Sequence, residues 1–217
     1  MSAADYPYKE LLLGCGRRRE KMFAPLGREN LDPQTGKFRW HCLITLDHNE
    51  TVRPDILCDL NAIPWTPLEW FQRPGQPFKV ESLFQHGIEF RNNTFDEIHA
   101  YEVFEHLGSQ GDAEAFFAHF YEVWRLLKPG GYFYATVPSR YSPWLWGDPS
   151  HRRAILPESL VFLDQRQYRA QCDIPNPTPM SDFRPIWKGD FDVLDKRDNQ
   201  SMFWFALQAI KPARLKK

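Results

Sequence analysis

The sequence predicts an α/β layered sandwich built on a mainly parallel sheet. Short apolar runs alternate with helical or irregular segments along most of the chain. A Gly-x-Gly follows the first run, and two apolar runs joined by a polar turn close the chain. Apolar strands that alternate with crossover segments belong in parallel sheets covered on both faces, and a terminal hairpin adds antiparallel edges.

The elements follow in order. Lys9–Gly14 (KELLLG) is a short apolar run ending in glycine, a buried strand signal. Arg17–Leu26 is charged and expected to follow as a short helix. Gly27–Trp40 holds Asn30, Pro33 and Gly36 and reads as an inserted loop or small hairpin. Cys42–Asp47 (CLITLD) is a second strand ending in an acid, and Asp55–Leu60 (DILCDL) a third. Pro64–Phe90 is rich in prolines and aromatics and matches no period; its Trp65, Trp70 and Phe71 are expected in the core. Phe95–Tyr101 (FDEIHAY) is a fourth strand.

Ala113–Leu127 is the clearest helix. Phe116, Phe120, Val123 and Leu127 form one apolar stripe, and Asp112 is placed to cap it. Lys128-Pro129-Gly130-Gly131 should stop the helix in a turn before a fifth strand, Tyr132–Val137. Pro157–Asp164 reads as a short helix and Gln165–Gly189 as irregular. Phe191–Leu194 and Met202–Ile210 read as a hairpin turning at Asp198 and Asn199.

Composition narrows the function. The chain has 217 residues with 27 basic and 28 acidic side chains, for a net charge of −1. That balance argues against affinity built on phosphate neutralisation, so a long nucleic-acid partner is disfavoured. The four cysteines, Cys15, Cys42, Cys58 and Cys172, form no CxxC pair and suit a reducing compartment. No signal-like or membrane-spanning run is present, and a cytoplasmic protein is expected. One domain is expected over residues 1–217. Residues 1–140 would hold the cofactor, 141–190 an acceptor-side lid, and 191–210 the closing hairpin.

In open parallel sheets ligands bind beyond the carboxyl ends of the strands. Gly14-Cys15-Gly16 sits at the first such end, where glycines allow a tight turn and close approach to a ligand. A dinucleotide fingerprint would need glycine at position 19, which is Arg19, so a nicotinamide or flavin enzyme is disfavoured.

LLLGCG, LITLDHN, PDILCDLNAIPW, FDEIHAYEVFEHL and LLKPGGYFYATVPS occur in that order. Together, over about residues 9–163, they resemble the class I S-adenosylmethionine-dependent methyltransferases. The resemblance implies a Rossmann-like sheet of seven strands, helices on both faces and an antiparallel last strand. It implies S-adenosylmethionine as cofactor, with Gly14, Cys15 and Gly16 beside its methionine part. Asp47, with His48 next to it, would meet the ribose hydroxyls, and Asp59 with Leu60 the adenine. Tyr101 and Glu102 would lie near the methyl group. Two positions depart from the family pattern: Leu12 replaces the usual acid and Arg18 the third glycine. Arg17 or Arg18 is a candidate to compensate, or else a solvated basic segment. Asp47 lies further from Gly16 than the dinucleotide fingerprint expects, an excess the Gly27–Trp40 insertion can absorb.

Glu102, Glu105 and His106 form ExxEH after the fourth strand, and His151 follows later. This set resembles the metal site of quinone-biosynthesis O-methyltransferases and of small-RNA 3′-terminal 2′-O-methyltransferases. The resemblance implies Mg²⁺ or another divalent metal on Glu102, Glu105, His106 and His151. Without a metal, His106 or His151 is the candidate general base, with Glu105 beside them. Tyr141, Trp144 and Trp146 either line an acceptor pocket or form a packed lid. The function expected is methyl transfer to an oxygen or nitrogen of a small-molecule acceptor. The alternatives are a methyltransferase fold that binds without turnover, and a metal-dependent 2′-O-methyltransferase acting on a terminal nucleotide. The basic end, Lys211–Lys217, is expected to be solvated.

Overall fold

The computed structural model describes residues 8–25, 27–85, 89–175 and 177–215. An eight-stranded sheet runs through it in the order β4-β3-β2-β1-β7-β8-β10-β9. Here β1 is Glu10–Leu13, β2 Leu43–Asp47, β3 Ile56–Leu57 and β4 Glu69–Trp70. A separate two-stranded ribbon is formed by β5 (Phe84–Gln85) and β6 (Glu89–Phe90). Then come β7 (Phe95–Tyr101), β8 (Leu127–Pro138), β9 (Phe191–Asp198) and β10 (Met202–Ala209). Strands β3, β2, β1, β7 and β8 are parallel neighbours, while β4 and β10 run antiparallel to theirs. The strand order reverses between β1 and β7, and that switch point is where such sheets open a ligand crevice.

The expected parallel centre and closing hairpin are present, with eight strands in place of seven. The extra edge strand, β4, comes from the aromatic stretch that carried no readable period. β3 keeps only two residues of the expected six. Its start is held by buried Asp55, whose Oδ2 accepts from Thr45 N and Oγ1, both at 2.8 Å.

Helix α1 (Ala113–Leu126) forms as expected. Asp112 accepts from Ala115 N at 2.9 Å, a cap contributing about 1 kcal/mol. The buried face is Phe117, Phe120, Val123 and Leu126; Phe116 is half-buried and Leu127 already belongs to β8. The Lys128–Gly131 segment does not end in a free turn. It stays within β8, where the register against β7 shifts between Phe95 and Glu97. Gly130 takes φ +75° there, which accommodates the bulge without Cβ strain. Pro157–Leu163 is a 3₁₀ helix. Two short helices interrupt segments expected to be irregular: α2 (Trp144–Gly147) and α3 (Gln165–Gln171).

The expected helix over Arg17–Leu26 is absent among the described residues; the chain is extended or irregular there. A buried charge network explains this. Lys21 Nζ is clamped between Glu10 Oε1 and Glu97 Oε2, all three side chains fully buried. Glu97 also meets His99 Nε2 and Tyr8 OH, each at 2.7 Å. Arg19 donates to the carbonyls of Val52 and Arg53. These long-range partners outweigh the i to i−4 bonds a short helix would gain. Gly27–Trp40 folds back as a loop with bridges pairing Lys21 and Leu31 to Phe38, as its turn residues suggest.

Trp65 is fully buried, Trp70 packs against the core, and Phe71 is exposed. The C-terminal basic segment is not solvated as expected. Lys211 Nζ reaches Asn93 and the carbonyls of Arg125 and Leu127, and Arg214 pairs with Asp190 and Asp192. Lys216 and Lys217 lie outside the described residues.

Candidate functional site

A cavity of about 460 Å³ opens at the carboxyl edge, where β1, β2, β3 and β7 end. Gly14 forms its floor. A Cβ there would stand 2.6 Å from Val103 Cγ2, and the backbone has φ +55°, so the position needs glycine twice over. Asp47, at the end of β2, is nearly buried. Its Oδ2 accepts from Gly16 N and its Oδ1 from Asn49 N, both at 2.9 Å. Each oxygen thus has one backbone donor and can accept a further hydrogen bond, with His48 Nδ1 3.5 Å from Oδ1. The first glycine loop and the second strand are locked together by this carboxylate across the long insertion. Asp59 is exposed at the end of the third strand; its Oδ1 accepts from Asn61 N. Asn61 in turn accepts from Gly108 N at 3.1 Å, tying this edge to the loop after β7.

Glu102 follows β7 with φ +55°, left-handed backbone that a non-glycine residue adopts at a cost of about 1–3 kcal/mol. Its N–H donates to Thr136 O at 2.9 Å, which holds the kink. The kink is followed by a 3₁₀ turn, Phe104–His106, that carries Glu105 and His106.

Glu105 is fully buried and neither carboxylate oxygen has a hydrogen-bond partner. Burial pushes its carboxyl from 4.5 up to about 8. His106 and His151 meet edge to face with ring centroids 4.8 Å apart. His106 Nδ1 contacts Ser150 O and His151 Nδ1 contacts Leu145 O, both at 3.2 Å. A carbonyl can only accept, so each Nδ1 carries the proton and each Nε2 keeps a lone pair. Burial lowers the His106 pKa, favouring the neutral ring. One ligand atom from each of Glu105, His106 and His151 falls within a 4.8 Å cluster.

Of the residues assigned to the cofactor, Gly14, Asp47, His48, Asp59, Leu60 and Glu102 line this one cavity, together with His106. Three do not. Cys15 is buried, with its thiol pushed up to about 11 by burial. Gly16 contributes its N–H to Asp47 and is not in the wall. Tyr101 points away: its OH contacts His99 Nδ1 at 2.7 Å and accepts from Met22 N. The alternation of β7 puts that ring on the charge-network side. Glu102 lies outside the three-residue ligand cluster, so the four-ligand metal set reduces to three. Arg17 and Arg18 are exposed and do not line the cavity, and Leu12 is buried in β1. Tyr141, Trp144 and Trp146 are 62%, 66% and 60% exposed, so they neither pack as a lid nor line this cavity.

Against known proteins, the methyltransferase domain family matches residues 68–135, under a third of the chain. That stretch runs from β4 through the site loop and α1 into β8. The match places a methyltransferase-domain segment in this part of the chain. No curated protein matches it. Among solved structures it is similar to an S-adenosylmethionine-dependent methyltransferase from Archaeoglobus fulgidus, at 15% identity and TM-score 0.48, covering 94% of this chain and 87% of that one. It is also similar to the 1,6-didemethyltoxoflavin-N1-methyltransferase of Burkholderia thailandensis, at 13% and 0.44, covering 94% and 72%. A third is an N-methyltransferase from Bradyrhizobium japonicum in complex with S-adenosylhomocysteine, at 13% and 0.42, covering 94% and 78%.

Several wall residues of this cavity were invisible in the sequence. Val103, Ser150 and Arg152 join the cavity through chain crossings that no local pattern encodes. Asn61 carried a usable signal: it follows Asp59 in the DLN run, where an Asx turn is favoured. No helix among the described residues is long and apolar enough to cross a membrane.

Proposed function

We propose that this chain is a methyltransferase that binds S-adenosylmethionine in the carboxyl-edge cavity and moves its methyl group to an oxygen or nitrogen of a small-molecule acceptor. One observation carries the reading: Gly14, Asp47, Asp59, Leu60 and Glu102, from four strand ends, share a single cavity. The residues fit the cofactor chemically. Asp47 keeps one acceptor position on each oxygen for a vicinal diol. Asp59 offers an exposed carboxylate for an exocyclic amine, and Leu60 an apolar surface beside it. Gly14 lets the backbone pass close to the methionine part. When bound, the cofactor supplies an electrophilic sulfonium methyl for in-line displacement.

The chain's own part is to align the acceptor and to take its proton. His106 Nε2 is the base on the cavity wall, neutral and with its ring fixed through Nδ1. His151 lies beside it and supports that orientation. Alignment of the acceptor supplies much of the rate in such displacements. Calorimetry with S-adenosylmethionine tests the reading. Binding is expected, and Asp47→Ala should weaken it at least tenfold. Unchanged affinity in the variant would place the cofactor elsewhere. Release of S-adenosylhomocysteine over a panel of hydroxyl and amine acceptors separates an enzyme from a binding protein without turnover.

A metal-assisted form of the reaction has its own support in the orphaned Glu105 carboxylate facing two imidazole lone pairs. Glu105, His106 and His151 would hold the ion, and backbone carbonyls on both Nδ1 atoms provide the outer support such ligands need. One carboxylate and two imidazoles favour Mn²⁺ or Zn²⁺ over Mg²⁺. A bound ion would lower the acceptor hydroxyl's pKa and orient its oxygen, as for neighbouring hydroxyls of a terminal nucleotide. Titration with Mn²⁺ should show one site that Glu105→Gln removes; absence of binding to the wild type ends this form of the proposal.

A further inference from the structure

The segment Arg152–Ala154 is pinned beside the site loop. Arg152 N and Arg153 N donate to Glu105 O, and Gln110 N donates to Arg152 O. Arg152 faces the carboxyl-edge cavity, whereas Arg153 and Ala154 line a second one of about 340 Å³. The walls of this second cavity are mostly apolar, with Phe116, Phe117, Leu156 and Phe162 prominent. The start of α1, at Asp112 and Ala113, forms part of its rim.

Arg153 is the feature that needs an explanation. It is 5% exposed, the sole arginine so deeply buried among the described residues. Its Nη2 donates to Ser109 O at 2.7 Å and Asp112 O at 3.1 Å, and its Cζ lies 5.5 Å from the centre of the Phe116 ring. Its Nε has no hydrogen-bond partner, and no described carboxylate forms an ion pair with it. A buried guanidinium that no carboxylate pairs with is costly, and the attraction of Asp112, from beyond ion-pair distance, offsets only part of its lost hydration. The two carboxylates on the rim are otherwise engaged. Asp112 caps α1 through Oδ1, and Glu158 receives Arg140 on both oxygens.

We propose that this cavity is a second ligand site, separate from the cofactor cavity, for a small apolar molecule bearing one carboxylate that pairs with Arg153. The guanidinium would accept the anion at one end, where the first turn of α1 adds a favourable field. The phenylalanine walls would take the apolar body. The volume restricts that body to roughly a single ring or a short chain, the small end of ligand sites. The proposal does not depend on methyl transfer.

Calorimetry without cofactor tests it, with phenylacetate and hexanoate as probes and phenylacetamide as the uncharged control. Phenylacetate or hexanoate is expected to bind, and phenylacetate at least tenfold more tightly than the amide. Arg153→Gln should erase that preference. Because Arg153 also holds backbone carbonyls, Arg153→Gln could unfold. Ala154→Leu is the second variant: it fills the cavity from the rim, leaves Arg153 in place, and should block every probe. Folding of both variants is read from a cooperative melt. Equal affinity for acid and amide, no binding of either acid at millimolar concentration, or undiminished binding in a folded Ala154→Leu would each overturn the proposal.

Discussion

Replacing Glu105 with glutamine should stabilise the metal-free protein, and increasingly so as pH rises. The glutamate side chain is inaccessible to water and both oxygens lack partners. Burial therefore favours the protonated acid and moves its pKa from 4.5 to about 8. Between those values the folded chain binds a proton that the unfolded chain has lost. Stability is then fully present below pH 4.5, falls as pH rises through the interval, and levels off above 8. At about 1.4 kcal/mol per decade, the interval from pH 5 to 8 is worth about 4 kcal/mol. Glutamine is neutral throughout and lacks this dependence. Urea unfolding of both proteins in chelator, at pH 5 and pH 8.5, measures the effect. The stability difference should shift by about 4 kcal/mol toward the variant at the higher pH, other groups cancelling in the comparison. Parallel pH profiles would show that Glu105 is hydrated or paired, and would remove the basis of the ligand cluster.

Two further outcomes follow from the packing. Gly14→Ala forces a methyl to within 2.6 Å of Val103 Cγ2 in left-handed backbone, and should cost about 2–4 kcal/mol in chemical denaturation. It should also weaken S-adenosylmethionine binding; wild-type stability in the variant would contradict the close approach. Lys21→Met leaves Glu10 and Glu97 buried without their shared cation, and should cost about 3–5 kcal/mol. A loss under about 1 kcal/mol would show that water replaces the ammonium group.

How much was legible depended on the range of the forces involved. β7 was read to the residue, and α1 to within one, because their periodicity and the Asp112 cap are local signals. The Arg17–Leu26 helix failed because two of its charges answer to distant partners: Lys21 pairs with Glu10 and Glu97, on two different strands, and Arg19 donates to the carbonyls of Val52 and Arg53. β4 was missed because a two-residue edge strand has no period to detect. Tyr101 was misplaced by a single residue of strand alternation: Glu102, next in the chain, faces the cavity while Tyr101 faces His99.

By itself the sequence determined the parallel sheet with its closing hairpin and the glycine turn after β1. It also determined the acids at the ends of β2 and β3, because strand pattern and turn chemistry are written within a few residues. The tertiary structure decided which of those residues share a cavity. It also decided that Glu105 lies dry against two histidines and that Arg153 is buried without an ion-pair partner among the described residues. Those are matters of burial and of contacts between residues about 45 positions apart, and desolvation has no local signature in a chain.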